Sequence, residues 1–232
     1  MVKALKLQTT PSGTYTNASE GIMPPYLVNV QFGCTDSTSI KVGTAGTGIS
    51  SSDFWNLITL TVDGDGESPG VVAELSCLDS TGNSSGVTTE VFYGSSGNIV
   101  GVSGQTADDP LFQNFITTGG GSPFEFSLSL PTGTYDIYLY GAGFVDTWAS
   151  PNYRLYSTFN IVSGANNSGS FGSESTSSSP SYNINTLTSG NQYVVFAGVQ
   201  VTGGTPLVFQ ADQATLLEEP PLNGIQVVLQ HN

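Results

Sequence analysis

Between residues 125 and 140 apolar and polar side chains take turns. Phe126, Leu128 and Leu130 alternate with Glu125, Ser127 and Ser129, the chain turns at Pro131-Thr132-Gly133, and Tyr135, Ile137 and Leu139 resume against Asp136, Tyr138 and Tyr140. Successive side chains of a strand point to opposite faces, so a period of two marks a half-buried β-strand and not a helix. Further strands are expected over residues 26–32, 57–62, 70–77, 88–93, 98–102, 155–161, 193–201, 207–210 and 225–229. Turn-forming runs such as Thr81-Gly82-Asn83-Ser84-Ser85-Gly86 and Thr202-Gly203-Gly204 separate them. About a dozen short strands at hairpin spacing, with no long helical pattern, predict an all-β fold: an antiparallel jelly-roll-like β-sandwich. Residues 109–116 are expected to form a helical turn, and the Ser-rich residues 166–181 a long loop. Trp55 is expected to fill the core or close one end of the sandwich.

The first 20 residues are polar and weakly periodic, and hold Pro11, Gly13 and Asn17. They read as an extended N-terminal arm, residues 1–24, ahead of one sandwich domain over residues 25–232. The 232 residues suit one large β domain. No stretch approaches the roughly 18 apolar residues of a membrane-crossing helix. The opening residues carry Lys3 and Lys6 but no apolar run of the kind a secretory signal needs.

Composition removes several functions. Four Lys+Arg against 18 Asp+Glu give a net charge of −14, and four basic residues cannot neutralise a run of phosphates, so nucleic acid is not an expected partner. The single histidine, His231, is next to last, a poor place for a general base. No Gly-x-Ser-x-Gly elbow is present. The adjacent carboxylates Asp108-Asp109 and Glu218-Glu219 sit in Pro-containing loops, where neighbouring side chains point apart and cannot flank one scissile bond. The chain is therefore not expected to be an enzyme. Cys34 and Cys77 fit no metal-binding spacing and read as two separate thiols.

Two binding sites remain open. In Asp63-Gly64-Asp65-Gly66-Glu67 the oxygens of Asp63, Asp65 and Glu67 alternate as a hard cation requires, making calcium a candidate cofactor; a solvated hairpin tip explains the same residues. Aromatic residues gather at Tyr135, Tyr138, Tyr140, Phe144, Trp148, Tyr153 and Tyr156. Tyr138 and Tyr140 fall on the face opposite Ile137 and Leu139, while Trp148 has Asp146 and Asn152 close by in sequence. Aromatic planes beside neutral or acidic hydrogen-bonding groups suit sugar rings, so Trp148, Tyr153, Asp146, Asn152, Tyr138 and Tyr140 form the candidate glycan site. The alternative is that these aromatics cover a sheet or a subunit contact.

Several stretches resemble the landmarks of a recurring β-sandwich module of bacterial surface and secreted proteins, itself similar to galactose-binding-like jelly rolls. They are Val28-Asn29-Val30-Gln31-Phe32-Gly33; Lys41-Val42-Gly43-Thr44-Ala45-Gly46-Thr47-Gly48 with Asp53-Phe54-Trp55-Asn56; Asp109-Pro110-Leu111; Leu130 to Gly141; Gly190 to Phe196; and Leu222-Asn223-Gly224-Ile225-Gln226. Gln31 departs from the pattern, standing where an acidic residue is usual. The resemblance implies a fold and a surface context with no catalytic residues. The expected function is thus a non-catalytic structural or adhesion module that binds oligosaccharide, extracellular or on a virion surface. The alternative is a virion decoration, collar or fibre component attached to protein neighbours through its N-terminal arm.

Overall fold

The computed structural model describes residues 5–10, 13–18, 26–34, 39–60, 71–92, 99–102, 107–118, 122–147, 150–177, 187–214 and 219–230. In chain order the strands are β1 (Leu5–Thr10), β2 (Gly13–Ala18), β3 (Leu27–Cys34), β4 (Asn56–Leu60), β5 (Val71–Leu78), β6 (Ser84–Phe92), β7 (Ile99–Val102), β8 (Phe115–Thr118), β9 (Phe124–Ser129), β10 (Gly133–Tyr140), β11 (Ala142–Thr147), β12 (Ser150–Ser163), β13 (Glu174–Ser175), β14 (Tyr193–Val201), β15 (Leu207–Gln213) and β16 (Gly224–Leu229). Among the described residues the only helical turns are two 3-10 turns, Pro110–Phe112 and Ser168–Ser170. No helix there is long and apolar enough to cross a membrane.

The strands build two curled sheets that face each other. One runs β14-β10-β16-β3-β4; the other runs β11-β12-β15-β9-β6-β5, with β13 beside β12. Alternation explains the core between them. Val28, Val30 and Phe32 of β3, Ile137 and Leu139 of β10, and Ile225 and Val227 of β16 meet Phe124, Phe126 and Leu128 of β9, Phe159 of β12 and Phe209 of β15. Phe126 stacks on Phe209 with ring centroids 5.4 Å apart. Each such fully buried side chain contributes about 2–3 kcal/mol of transfer free energy. The expected all-β sandwich is therefore present.

A register shift keeps β14 in that core. Tyr135 pairs with Val199 but Ile137 with Phe196, so two residues of β14 oppose Asp136 alone. This bulge moves the inward positions from Val194 and Phe196 to Val199 and Val201, and all four are buried.

Three expectations need correction. The sheets are not wholly antiparallel, because β3 and β4 pair in parallel, from Val30↔Asn56 to Cys34↔Leu60. The turn expected at residues 109–116 occupies only Pro110–Phe112, started by the Asp109 carboxylate accepting from the Leu111 N–H at 2.9 Å; the chain then extends into β8, which pairs with β7. The Ser-rich 166–181 stretch is not all loop, since Glu174 and Ser175 add a short strand to β12 at Phe159 and Thr158. At the N-terminus, β1 and β2 pair with each other as a separate two-stranded sheet. Cys34 and Cys77 are both buried and form no disulfide.

The chain changes sheets at Gly141, between β10 of one and β11 of the other. Added there, a Cβ would lie 2.7 Å from the Phe159 ring and 2.9 Å from Ser157 Cβ, so only glycine fits this corner.

Candidate functional site

Strand β3 is buried along its whole length, Asn29 and Gln31 included. Its second face is covered by residues 39–55, which lie over the outer side of the five-stranded sheet. The outward positions of β3, β16 and β10 hold Asn29, Gln31, Gln226 and Tyr140, all fully buried. Buried amides and hydroxyls without partners cost about 1–3 kcal/mol each, so the arrangement stands or falls on its hydrogen bonds.

Gln226 is the hub. Its carbonyl oxygen accepts from the Tyr140 hydroxyl and from the Thr47 N–H at 3.2 Å. Its amide donates to Asn29 Oδ1 at 2.7 Å and to the Thr47 carbonyl at 3.1 Å. One side chain thus grips both backbone groups of Thr47, as a neighbouring strand would. Asn29 passes the chain of bonds on by donating to the Phe54 carbonyl at 2.8 Å. Asn56 donates to the Asn29 carbonyl at 2.8 Å and brackets Leu78, giving to its carbonyl at 2.7 Å and accepting from its N–H at 2.8 Å. That last clamp joins β4 to the end of β5 and so to the opposite sheet.

A second knot fastens the start of the covering segment. Gln31 accepts from the Lys41 N–H at 2.8 Å and donates to the carbonyls of Ser39 and Pro110, both at 3.0 Å. Lys41 Nζ donates to Asp109 Oδ2 at 2.6 Å, in an ion pair whose side chains are only 10% and 14% exposed. The geometry explains why an amide occupies position 31: a carboxylate could accept from Lys41 but would repel both carbonyl oxygens. Asp53 closes the far end, its two oxygens accepting from the N–H groups of Ile49 at 2.7 Å and Ser50 at 2.9 Å.

Aromatic rings fill the space beneath. Trp55 packs edge-on to Tyr140 at 6.5 Å and donates its indole N–H to the Gly43 carbonyl at 2.7 Å. Phe112 meets Tyr140 at 6.2 Å, and Tyr193 meets Tyr140 at 5.4 Å. Trp55 is therefore buried as expected, in a second cluster with Leu111 and Ala142 and not between the sheets. The Gly46 N–H donates to the Tyr140 oxygen at 2.6 Å, so close that a Cβ on Gly46 would stand 2.7 Å from that oxygen. Burial pushes the Tyr140 phenol well above its ordinary range, opposed by the Gly46 hydrogen bond. Tyr138, half-buried, lies 5.8 Å from Tyr193, and its phenol is raised by burial and by the nearby Asp136 charge.

The described residues among those expected to bind sugar come from both sheets. Tyr140 is buried under the covering segment and offers no face to a ligand, which corrects its place in the glycan site. Tyr138 sits on β10 in the five-stranded sheet, whereas Asp146 belongs to β11 and Asn152 and Tyr153 to β12, at the edge of the other sheet. Val145 pairs with Tyr153 there. Trp148 lies outside the described residues, as do Asp63, Asp65 and Glu67 of the candidate calcium loop, and His231. Among the described residues no three His, Cys, Asp or Glu side chains stand close enough to hold a metal.

What the reading of the sequence missed is the convergence itself. Lys41, Asp53, Trp55, Asn56, Asp109 and Gln226 come from four separated stretches and meet on one face. Asn223 is also buried, accepting from the Ala142 N–H at 2.8 Å and donating to the Asn114 carbonyl at 3.0 Å. The available signal was that outward positions 29, 31 and 226 carry amides where a solvated face would carry charges. No family model, curated protein or solved structure matches the chain.

Proposed function

We propose that this chain is a non-catalytic structural or adhesion module of an extracellular or virion surface, with oligosaccharide as its ligand. One observation carries the non-catalytic part: among the described residues, the buried charged side chains Lys41 and Asp53, and Asp109 beside them, are engaged in holding residues 39–55 in place. Lys41, Asp53 and Asp109 each have partners within 3 Å, and the buried amides bond to backbone. The resemblance to bacterial surface modules, whose landmark residues build this covered face, supports the same reading. For sugar contact the remaining candidates are Tyr138, with Asp136 nearby, Asp146 of β11, Asn152 and Tyr153 of β12, and Trp148, which follows β11 in sequence. On a glycan array the full chain is expected to retain at least one soluble oligosaccharide. Trp148→Ala is expected to weaken that retention about tenfold or more with an unchanged melting temperature. Release of reducing sugar or unsaturated product from a polysaccharide, or no retention of any glycan, would overturn this reading.

The β1–β2 hairpin favours a second reading, a virion component attached through its N-terminal residues. A two-stranded hairpin is marginal alone in water, and its open edges suit strand addition to a neighbouring protein. Deleting residues 1–20 is expected to leave the sandwich folded and abolish attachment to the particle. Normal attachment of the shortened chain, read by co-sedimentation, would refute it.

A further inference from the structure

Strands β7 and β8 pair with each other as a two-stranded ribbon outside both large sheets. The ribbon lies against the ends of β3 and β4. A Cβ added to Gly101 would stand 3.0 Å from the Leu60 carbonyl oxygen, 3.3 Å from that of Gly33 and 3.4 Å from Cys34 Cα, so the β7 backbone rests on the last residues of both strands. From β8, Ile116 bridges to Leu222 just ahead of β16, donating to its carbonyl at 3.0 Å and accepting from its N–H at 2.9 Å. Ile99 and Ile116 belong to the core between the sheets, and all four residues of β8 are buried. The ribbon is a plug at one end of the sandwich.

The plug carries a defect. Asn114, just ahead of β8, and Thr117 within it are fully buried. Asn114 Oδ1, Asn114 Nδ2 and Thr117 Oγ1 have no hydrogen-bond partner, and among the described residues they are the only buried side-chain polar atoms in that condition. Buried amides elsewhere are matched: Asn29, Asn56, Asn223 and Gln226 each both donate and accept. Thr118, next to Thr117, donates its hydroxyl to the Ser122 carbonyl. A buried group without a partner favours any conformation in which water reaches it, and all three such atoms fall on one element. Two strands are marginal by themselves in water, and weakly held elements open while the rest of a fold stays closed.

We propose that β7 and β8 form a plug that opens on its own, with the two sheets intact, and that this opening is what brings water to the buried Cys34. The proposal is independent of the reading as a surface module, since it needs no ligand. When the plug lifts, the Leu60 and Gly33 carbonyls and the end of β3 are uncovered; closing strips water from Asn114 and Thr117 again. Removing an unpartnered hydroxyl therefore holds the plug shut, whereas removing a bonded one loosens it.

The test is N-ethylmaleimide labelling of the full chain under native conditions, over a range of urea below the unfolding transition. Peptic peptide masses identify the cysteine modified. Cys34 is expected to react through local opening, at a rate that hardly changes with urea. Cys77, on β5, is expected to react only through unfolding of the whole, with a steep urea dependence. Amide hydrogens of β7 and β8 are expected to exchange at least tenfold faster than those of β9 and β10. Thr117→Val should slow Cys34 labelling about tenfold, and Thr118→Val should not slow it. A melting temperature for Thr117→Val no lower than the parent's shows that the variant folds. A Cys34 rate as steep in urea as that of Cys77, a ribbon that exchanges no faster than β10, or Thr117→Val labelling at the parent rate overturns the proposal. So does equal slowing by both valine variants, because added apolar surface and not the unpartnered hydroxyl would then be the cause.

Discussion

Gln226→Leu is expected to lower the free energy of unfolding by about 4 kcal/mol, well beyond the usual 0.5–3 for a point substitution. Leucine keeps the volume but makes none of the four bonds. It leaves the Tyr140 hydroxyl proton and Asn29 Oδ1, both on fully buried side chains, without a partner, and frees both backbone groups of the half-buried Thr47. The check is the denaturant midpoint at neutral pH, together with limited proteolysis. Cleavage within residues 39–55 should accelerate more than cleavage of the sheets, because Thr47 loses its grip on the sheet directly. A loss below about 1 kcal/mol, or unchanged cleavage, would show that the covering segment is held by its aromatic packing alone. Gln226→Glu is a sharper probe. Its carboxylate faces Asn29 Oδ1 and the Thr47 carbonyl, so the variant should regain part of its stability on mild acidification, when the carboxyl can donate.

A second large effect is expected in alkali. Tyr140 titrates well above 10 in the folded protein because burial penalises the phenolate, and burial likewise pushes Tyr135 up to about 12. In the unfolded chain both release protons near pH 10. The folded state therefore holds more protons across this window, and rising pH favours unfolding. The contribution of these two phenols is complete below pH 10 and falls above it by about 1.4 kcal/mol per pH unit for each phenol held protonated, until the folded-state value is passed. Thermal unfolding at pH 8, 10 and 11 measures this. Tyr140→Phe starts less stable, since Gly46 and Gln226 lose a partner, but its curve above pH 10 should be flatter by about one proton. Parallel curves for the two proteins would exclude Tyr140 as a source of the alkaline loss.

The two-layer fold was legible because β9 and β10 alternate cleanly and are bounded by Pro and Gly. Strand β8, Phe-Ile-Thr-Thr, was not, because the Asp109-Pro110 helical start just before it dominates the local pattern and four buried residues show no alternation. The parallel pairing of β3 with β4 leaves no mark in either strand, since it depends on how residues 39–55 travel between them. The covered face escaped for a different reason. Period-two reasoning equates polar with solvated, and nothing in the alternation around Asn29, Gln31 and Gln226 marks that face as covered. Their true environment is set by residues up to 197 positions away in the chain. Tyr140 shows the same limit: its alternation correctly excluded the central core but could not reveal the second layer that buries it.

The position of β3 between β4 and β16 also governs when this protein can finish folding. Its antiparallel partner is β16, and Asn29 waits 197 residues for Gln226. At ribosomal speeds of about 5–20 residues per second that interval is roughly 10–40 s. During it Val28, Val30 and Phe32 have no antiparallel neighbour, and an open apolar strand edge is the usual seed of pairing between chains. Such a long-range closure folds slowly even from the complete chain. The sandwich therefore closes only once β16 has been made, and a pause before residue 224 leaves the middle of the five-stranded sheet without its antiparallel partner.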